Sequence, residues 1–250
     1  MRMDRKEGII PLQNQRARAF SFALKRLVPI ILEYIFVGLA FGILMNQAGY
    51  SPIWAVVSAV FIYAGSMQIV MVPLLSGGAP LWTIATMTLF INARHMFYGI
   101  GFVDRFRRMG ALKYIYMALT VTDETYSLLC SSEYPADVDP QFGDFYTNLL
   151  AHLIWIFSCA LGAITGRVLP VDLTGIEFSA TAFFITVVVS QWRQFPSHLP
   201  AFAGLISALV FLLLLGPDRF IIPALAVSMV VLMLLKDRIE VKMIGGQAHE

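Results

Sequence analysis

The chain has 250 residues, of which 58% are hydrophobic and only 14% charged. A soluble domain carries about 25% charged residues, so composition excludes an ordinary soluble globule, and so apolar a chain is not disordered either. Its cysteines, Cys130 and Cys159, are too few for a disulfide scaffold. What remains is an all-α polytopic membrane protein with spans of about 20 apolar residues.

The net charge is only +2, but the charges are segregated. Residues 1–27 hold Arg2, Arg5, Lys6, Arg16, Arg18, Lys25 and Arg26 against Asp4 and Glu7. From 28 to 103 the formal charges are Glu33 and Arg94 alone. A basic knot follows (Arg105, Arg107, Arg108, Lys113, with Asp104), then the acidic stretch 132–144, then a tail opening on Lys236, Arg238 and Lys242. Short loops rich in Lys and Arg stay in the cytoplasm. This predicts a cytoplasmic basic tail at 1–27, a transmembrane domain at 28–235 with the 104–113 loop inside, and a cytoplasmic tail at 236–250. The 132–144 stretch, having no base, is free to lie outside. Residues 1–27 lack the short basic region and A-x-A-like cleavage site of a secretory signal, so they read as a retained tail.

Apolar stretches run at about 28–48, 53–75, 81–103, 113–131, 145–165, 178–190, 199–215 and 220–235. If all of them crossed, the 104–113 loop would lie outside, against the charge rule. Letting 53–75 and the short 178–190 piece enter and leave on one side restores it. The expectation is therefore about six full spans plus two broken or re-entrant segments. A faint repeat aligns Gly38-x-x-x-Gly42 with Gly162-x-x-x-Gly166, and Phe61-Ile62 and Gln68 with Phe184-Ile185 and Gln191. In this topology the first and fifth spans run in opposite directions, as in the inverted repeats of transporters whose broken segments meet at the midplane. Each glycine pair also reads simply as a close helix contact.

Some polar residues are costly where they stand. Asn92, Arg94 and His95 fall in the third span, and an arginine at membrane depth costs about 2.5–3.5 kcal/mol on insertion scales. The fourth span offers Asp123 and Glu124. At 1.5 Å per residue Arg94 lies roughly 14 Å, and Asp123 roughly 16 Å, from the intervening loop. A pair of Arg94 with either acid is thus geometrically cheap. It reads as a structural clamp, or as a group that binds charged substrate or relays a proton. His95 faces another side and reads as a hydrogen-bonded core histidine; Glu33 reads as interfacial. In Phe61-Ile62-Tyr63-Ala64-Gly65-Ser66-Met67-Gln68, small and amide residues interrupt an apolar run. They suggest a broken helix, whose freed N–H groups can hold a carboxylate. There is no P-loop, no Cys/His metal spacing, no nucleophile elbow and no basic patch suited to nucleic acid. Nothing points to an enzyme or to a cofactor.

Three motifs together resemble a known family. Phe61-x-Tyr63-Ala64-Gly65-Ser66-Met67-Gln68, then Asn92-Ala93-Arg94-His95-x-x-Tyr98-Gly99, then Leu119-Thr120-Val121-Thr122-Asp123-Glu124-Thr125-Tyr126 look like the AzlC family, the large subunits of two-component branched-chain amino acid exporters. The resemblance covers about 30–235 and is specific at the three motifs. It implies export of leucine, isoleucine, valine and related amino acids across the bacterial inner membrane, with a small AzlD-like membrane subunit as partner. On this reading Gly65, Ser66, Gln68, Phe61, Tyr63, Asn92 and Gln191 bind substrate, while Arg94, His95, Asp123 and Glu124 form a coupling or structural ion pair. The rival readings are a channel-like pore, or a structural subunit whose partner carries the path.

Overall fold

The computed structural model describes residues 12–130, 133–168, 177–194, 197–216 and 219–235. Every element among them is helical. Two helices are long and apolar enough to cross a bilayer alone, over Gln15–Gln47 and Pro140–Val168. The chain divides into two compact units, one of residues 1–73 and 92–172, the other of 74–91 and 173–250.

The first unit is built on α1 (Leu12–Gln47) and α8 (Pro140–Val168). α1 takes in the basic segment as far back as Leu12, and Ala19, Ala23 and Leu27 form a buried stripe at helical spacing along it. It stops at Gly49, whose φ of +83° suits a residue without Cβ, and the Tyr50 N–H closes the end on the Met45 carbonyl. Asp139 starts α8, its carboxylate accepting from the Gln141 N–H at 2.7 Å.

The two glycine pairs of the sequence meet each other. A Cβ placed on Gly38 would lie 2.6 Å from the Ser158 Cβ, one on Gly162 would lie 2.7 Å from the Leu39 Cα, and one on Gly166 would lie 3.3 Å from the Ile43 Cα. Gly42 likewise abuts the Cys159 carbonyl and the Ala163 amide. The glycines serve packing, as small-residue seams do in membranes. Further back, Phe20 packs edge-on to Tyr146 at 5.8 Å and Tyr34 to Trp155 at 5.4 Å. Contact positions rise together on both helices, so α1 and α8 run parallel. This corrects the expected opposite directions, and with it the inverted relation of the glycine pairs.

Two broken helices attach to this pair. α2 (Pro52–Phe61) and α3 (Gly65–Ser76) flank a turn at Ile62–Ala64, where Tyr63 takes φ +40°. The chain folds back there: Gln68 Nε2 donates to Ser58 Oγ at 3.2 Å, a reach a straight helix forbids at ten residues' separation. The break expected at Gly65–Gln68 thus lies just before Gly65, and these residues form the first turn of α3. The second break is α6 (Ala111–Thr120) followed by α7 (Asp123–Cys130). Val121 is extended at ψ 120°, and Thr122 caps α7 with its own N–H donating to Thr125 Oγ1 at 2.8 Å. Two short helices summed to one apparent span.

α6 and α7 also run in opposite directions. Along α6, Lys113 lies over Phe142 and Phe145, and Asn148 reaches Thr120. Along α7, Thr122 meets Tyr34, whereas the Leu128 carbonyl accepts from Arg26. Hence the stretch expected as a full fourth span is a hairpin whose tip lies beside the middle of α1.

The connector before it comprises α4 (Leu81–Gly101), α5 (Val103–Phe106) and a 3-10 turn at Arg107–Met109. Its Arg105 joins Asp144, Nε to Oδ2, at 2.5 Å, and Arg26 lies 3.9 Å from the same carboxylate. Arg18 pairs with Asp137 at 2.9 Å. The acidic 132–144 stretch therefore shares one end of the unit with the basic segment and the 104–113 connector, which corrects its assignment to the opposite side. Asp144 is fully buried, and a buried carboxylate requires cations, which other elements supply here.

In the second unit, α9 (Glu177–Gln194) is one uninterrupted helix, so the break expected in 178–190 is absent there. Trp192 stacks on His198 at 3.9 Å as the chain enters α10 (Leu199–Leu215), which ends at Gly216 and packs on α11 (Ile221–Leu234). The tail 236–250 and residues 1–11 lie outside the described residues.

Candidate functional site

The hairpin tips of the first unit bring polar groups to the middle of α1 and α8. α8 contributes Asn148, His152 and Trp155, three polar or amphipathic side chains one turn apart on its buried face. Gln68 is fully buried: its Oε1 accepts from Trp155 Nε1 at 2.9 Å while its Nε2 reaches Ser58. Gly65 is needed because a Cβ there would come within 2.9 Å of the Trp155 ring. Tyr63 stacks on His152 at 4.2 Å. His152 Nε2 meets the Ala59 carbonyl at 3.2 Å, and Nδ1 the Tyr116 hydroxyl at 3.1 Å. Since a carbonyl only accepts, Nε2 carries the proton, and in the neutral ring Nδ1 accepts from Tyr116. His152 thereby ties the two hairpins together across α8.

A second cluster lies on the α1 side. The Tyr34 hydroxyl is 2.7 Å from Thr122 Oγ1 and donates to Glu124 Oε2 at 3.1 Å. Asp123 accepts from the Tyr98 hydroxyl of α4, and Tyr98 stacks on Tyr126 at 4.6 Å. Both acids occupy the first turn of α7, where the helix dipole favours negative charge.

Of the residues singled out from sequence, Gly65, Gln68, Tyr63, Asp123 and Glu124 belong to these two clusters, and Ser66 is buried in the first turn of α3. Asn92 is partly buried on α4, with its Oδ1 unpartnered among the described residues. His95 lies edge-on to Tyr98 at 5.6 Å. Phe61 is 83% exposed and has no described contact in either cluster. Gln191 belongs to α9 of the other unit. Its side chain and that of Arg94 lie outside the described residues, and with them the expected pairing of Arg94 with an acid. Among the described residues Tyr98 bonds Asp123, and Tyr34 and Thr122 meet Glu124. Sequence reasoning missed Tyr34, Tyr116, Asn148, His152 and Trp155. The spacing of the last three on one face of an apolar stretch was the available signal.

Two apolar helices of bilayer length, with broken helix ends gathered around buried polar groups, fit a helical integral membrane protein. The AzlC protein family model matches residues 29–169. The chain is 35% identical to the branched-chain amino acid transport protein AzlC of Bacillus subtilis strain 168, over 91% of this chain and 90% of that protein. It is 33% identical to an uncharacterized membrane protein of Haemophilus influenzae (92% and 96% covered) and 27% identical to the inner membrane protein YgaZ of Escherichia coli K12 (87% and 89% covered). The chain belongs to the AzlC family. No solved structure matches it.

Proposed function

We propose that the protein is a secondary transporter that exports branched-chain and related hydrophobic amino acids across the bacterial inner membrane by alternating access. The observation that carries this is the meeting of two folded-back helix breaks, Ile62–Ala64 and Val121–Thr122, over the buried polar face of α8. Broken helices facing one another at mid-depth supply unpaired backbone ends for a charged solute. The name of the Bacillus relative supports the substrate class. In this reading the first-turn amides of α3 and Ser66 receive the substrate carboxylate, Met67 and Tyr63 border the apolar side chain, and Gln68 fixes the tip by holding Trp155 and Ser58.

Both hairpins are re-entrant in this reading. The basic segment, the 104–113 connector and the 132–144 stretch share the cytoplasmic face, and the C-terminal tail is cytoplasmic by its own charges. Asp123 carries a coupling proton, and a small AzlD-like subunit completes the transporter.

Purified protein in proteoliposomes, with and without that subunit, is tested with labelled leucine, valine and methionine across an imposed proton gradient. Saturable counterflow is expected. Asp123→Asn abolishes gradient-driven flux and spares exchange; wild-type flux in Asp123→Asn removes the acid from coupling. Rapid flux without counterflow replaces the carrier by a channel.

A further inference from the structure

Between the hairpin tips lies a buried hydroxyl that makes no well-formed hydrogen bond among the described residues. Tyr63 is only 5% exposed, yet its hydroxyl has no hydrogen-bond partner among the described residues. Leaving a buried polar group without a full hydrogen bond costs free energy, because it gives up the bond it would make to water. Tyr63 is also held at φ +40°, where a non-glycine residue is strained, so the fold maintains this placement against two costs. The hydroxyl lies against the hydroxyls of Tyr34 and Thr122, in polar contact with them but short of a well-formed hydrogen bond, within the field of Glu124. Tyr34 in turn contacts Thr122 Oγ1 at 2.7 Å and Glu124 Oε2 at 3.1 Å. Asp123 and Glu33 add negative field at the same place.

We propose that Glu124, with the hydroxyls of Tyr34, Tyr63 and Thr122, forms the subsite that holds the ammonium group of the transported amino acid. This rests on the amino-acid reading above. An ammonium has three N–H donors and no acceptor, so it needs three lone pairs converging from different directions. One carboxylate oxygen and the hydroxyl oxygens of two or more of these residues supply them, and the unpartnered Tyr63 oxygen gains the bond it lacks. Hydroxyls also rotate, so each can turn its hydrogen away when the cation arrives. Tyr63 stands two residues before Gly65, where α3 begins. A ligand whose ammonium and carboxylate share one carbon bridges Glu124 on one hairpin and the α3 N-terminus on the other. Binding then depends on both tips being in place at once.

The test uses the reconstituted full chain, with leucine and 2-hydroxy-4-methylpentanoate, which replaces the ammonium by a hydroxyl. Affinities are read by isothermal titration. Wild type is expected to prefer leucine. Glu124→Gln and Tyr63→Phe should each lose roughly tenfold or more in leucine affinity, the weight of a hydrogen bond to a charged group, while the hydroxy acid changes little. Tyr63→Phe removes one oxygen that makes no well-formed hydrogen bond in the empty protein, so it keeps the test open should Glu124→Gln unfold. A Tyr63→Phe protein that keeps wild-type preference for leucine overturns the subsite. Wild type that binds neither compound overturns the amino-acid reading itself, a different and separable failure.

Discussion

Gln68 shows how one side chain can set the geometry of a whole tip. Its carbonyl is taken by Trp155 and its amide by Ser58, so it joins α8, α2 and α3 at a fully buried point. Truncation leaves an indole N–H without an acceptor. Gln68→Ala should cost about 1–3 kcal/mol, read as a lowered melting midpoint in detergent, and should weaken leucine binding through the loosened tip. An unchanged midpoint would show that the amide is not under load. The residue was legible in the sequence because an amide in an apolar run is conspicuous. Its partner Trp155 was not, since a tryptophan in a membrane helix is unremarked until its N–H is seen to have an acceptor.

At the scale of elements, the pairing of α1 with α8 depends on backbone approach. Gly42→Val should clash with the α8 backbone and cost at least about 1–3 kcal/mol by overpacking, again as a drop in melting midpoint. The control is Gly204→Ala in α10, which meets nothing within 4 Å and should stabilise by up to about 1 kcal/mol through helix propensity. Equal responses at the two sites would mean that the seam is not tight.

The same scale explains what the sequence concealed. Composition showed helices and a membrane, and Gly65-Ser66 showed the first break within a few residues. The second break was masked because α6 and α7 together have the length of one span. Thr122-Asp123-Glu124-Thr125 carries a local signature, a capping threonine followed by acids in the first turn. Read as buried ligands for an arginine, these residues concealed a helix start. Direction could not be had from hydropathy either, since an apolar run reads alike up and down.

For the first unit as a body, the decisive fact is which termini and connectors share an end. Arg18–Asp137 and Arg105–Asp144 bind the basic segment, the connector and the acidic stretch together. Single cysteines replacing Arg108 and Asp137, in a background without Cys130 and Cys159, should therefore be labelled by an impermeant reagent from the same side of the membrane. Labelling from opposite sides would undo the parallel arrangement of α1 and α8.

That arrangement has a mechanical consequence. Where Gly38, Gly42, Gly162 and Gly166 lie against backbone, there are no rotamers to repack and no long side chains to slide over one another. The two helices have little means of shearing and behave as one girder. The hairpins meet that girder through side chains, by hydrogen bonds, ring contacts and a cation over aromatic rings, and such contacts can be exchanged one at a time. The girder is the fulcrum, the tips are the levers, and the solute is what changes their balance.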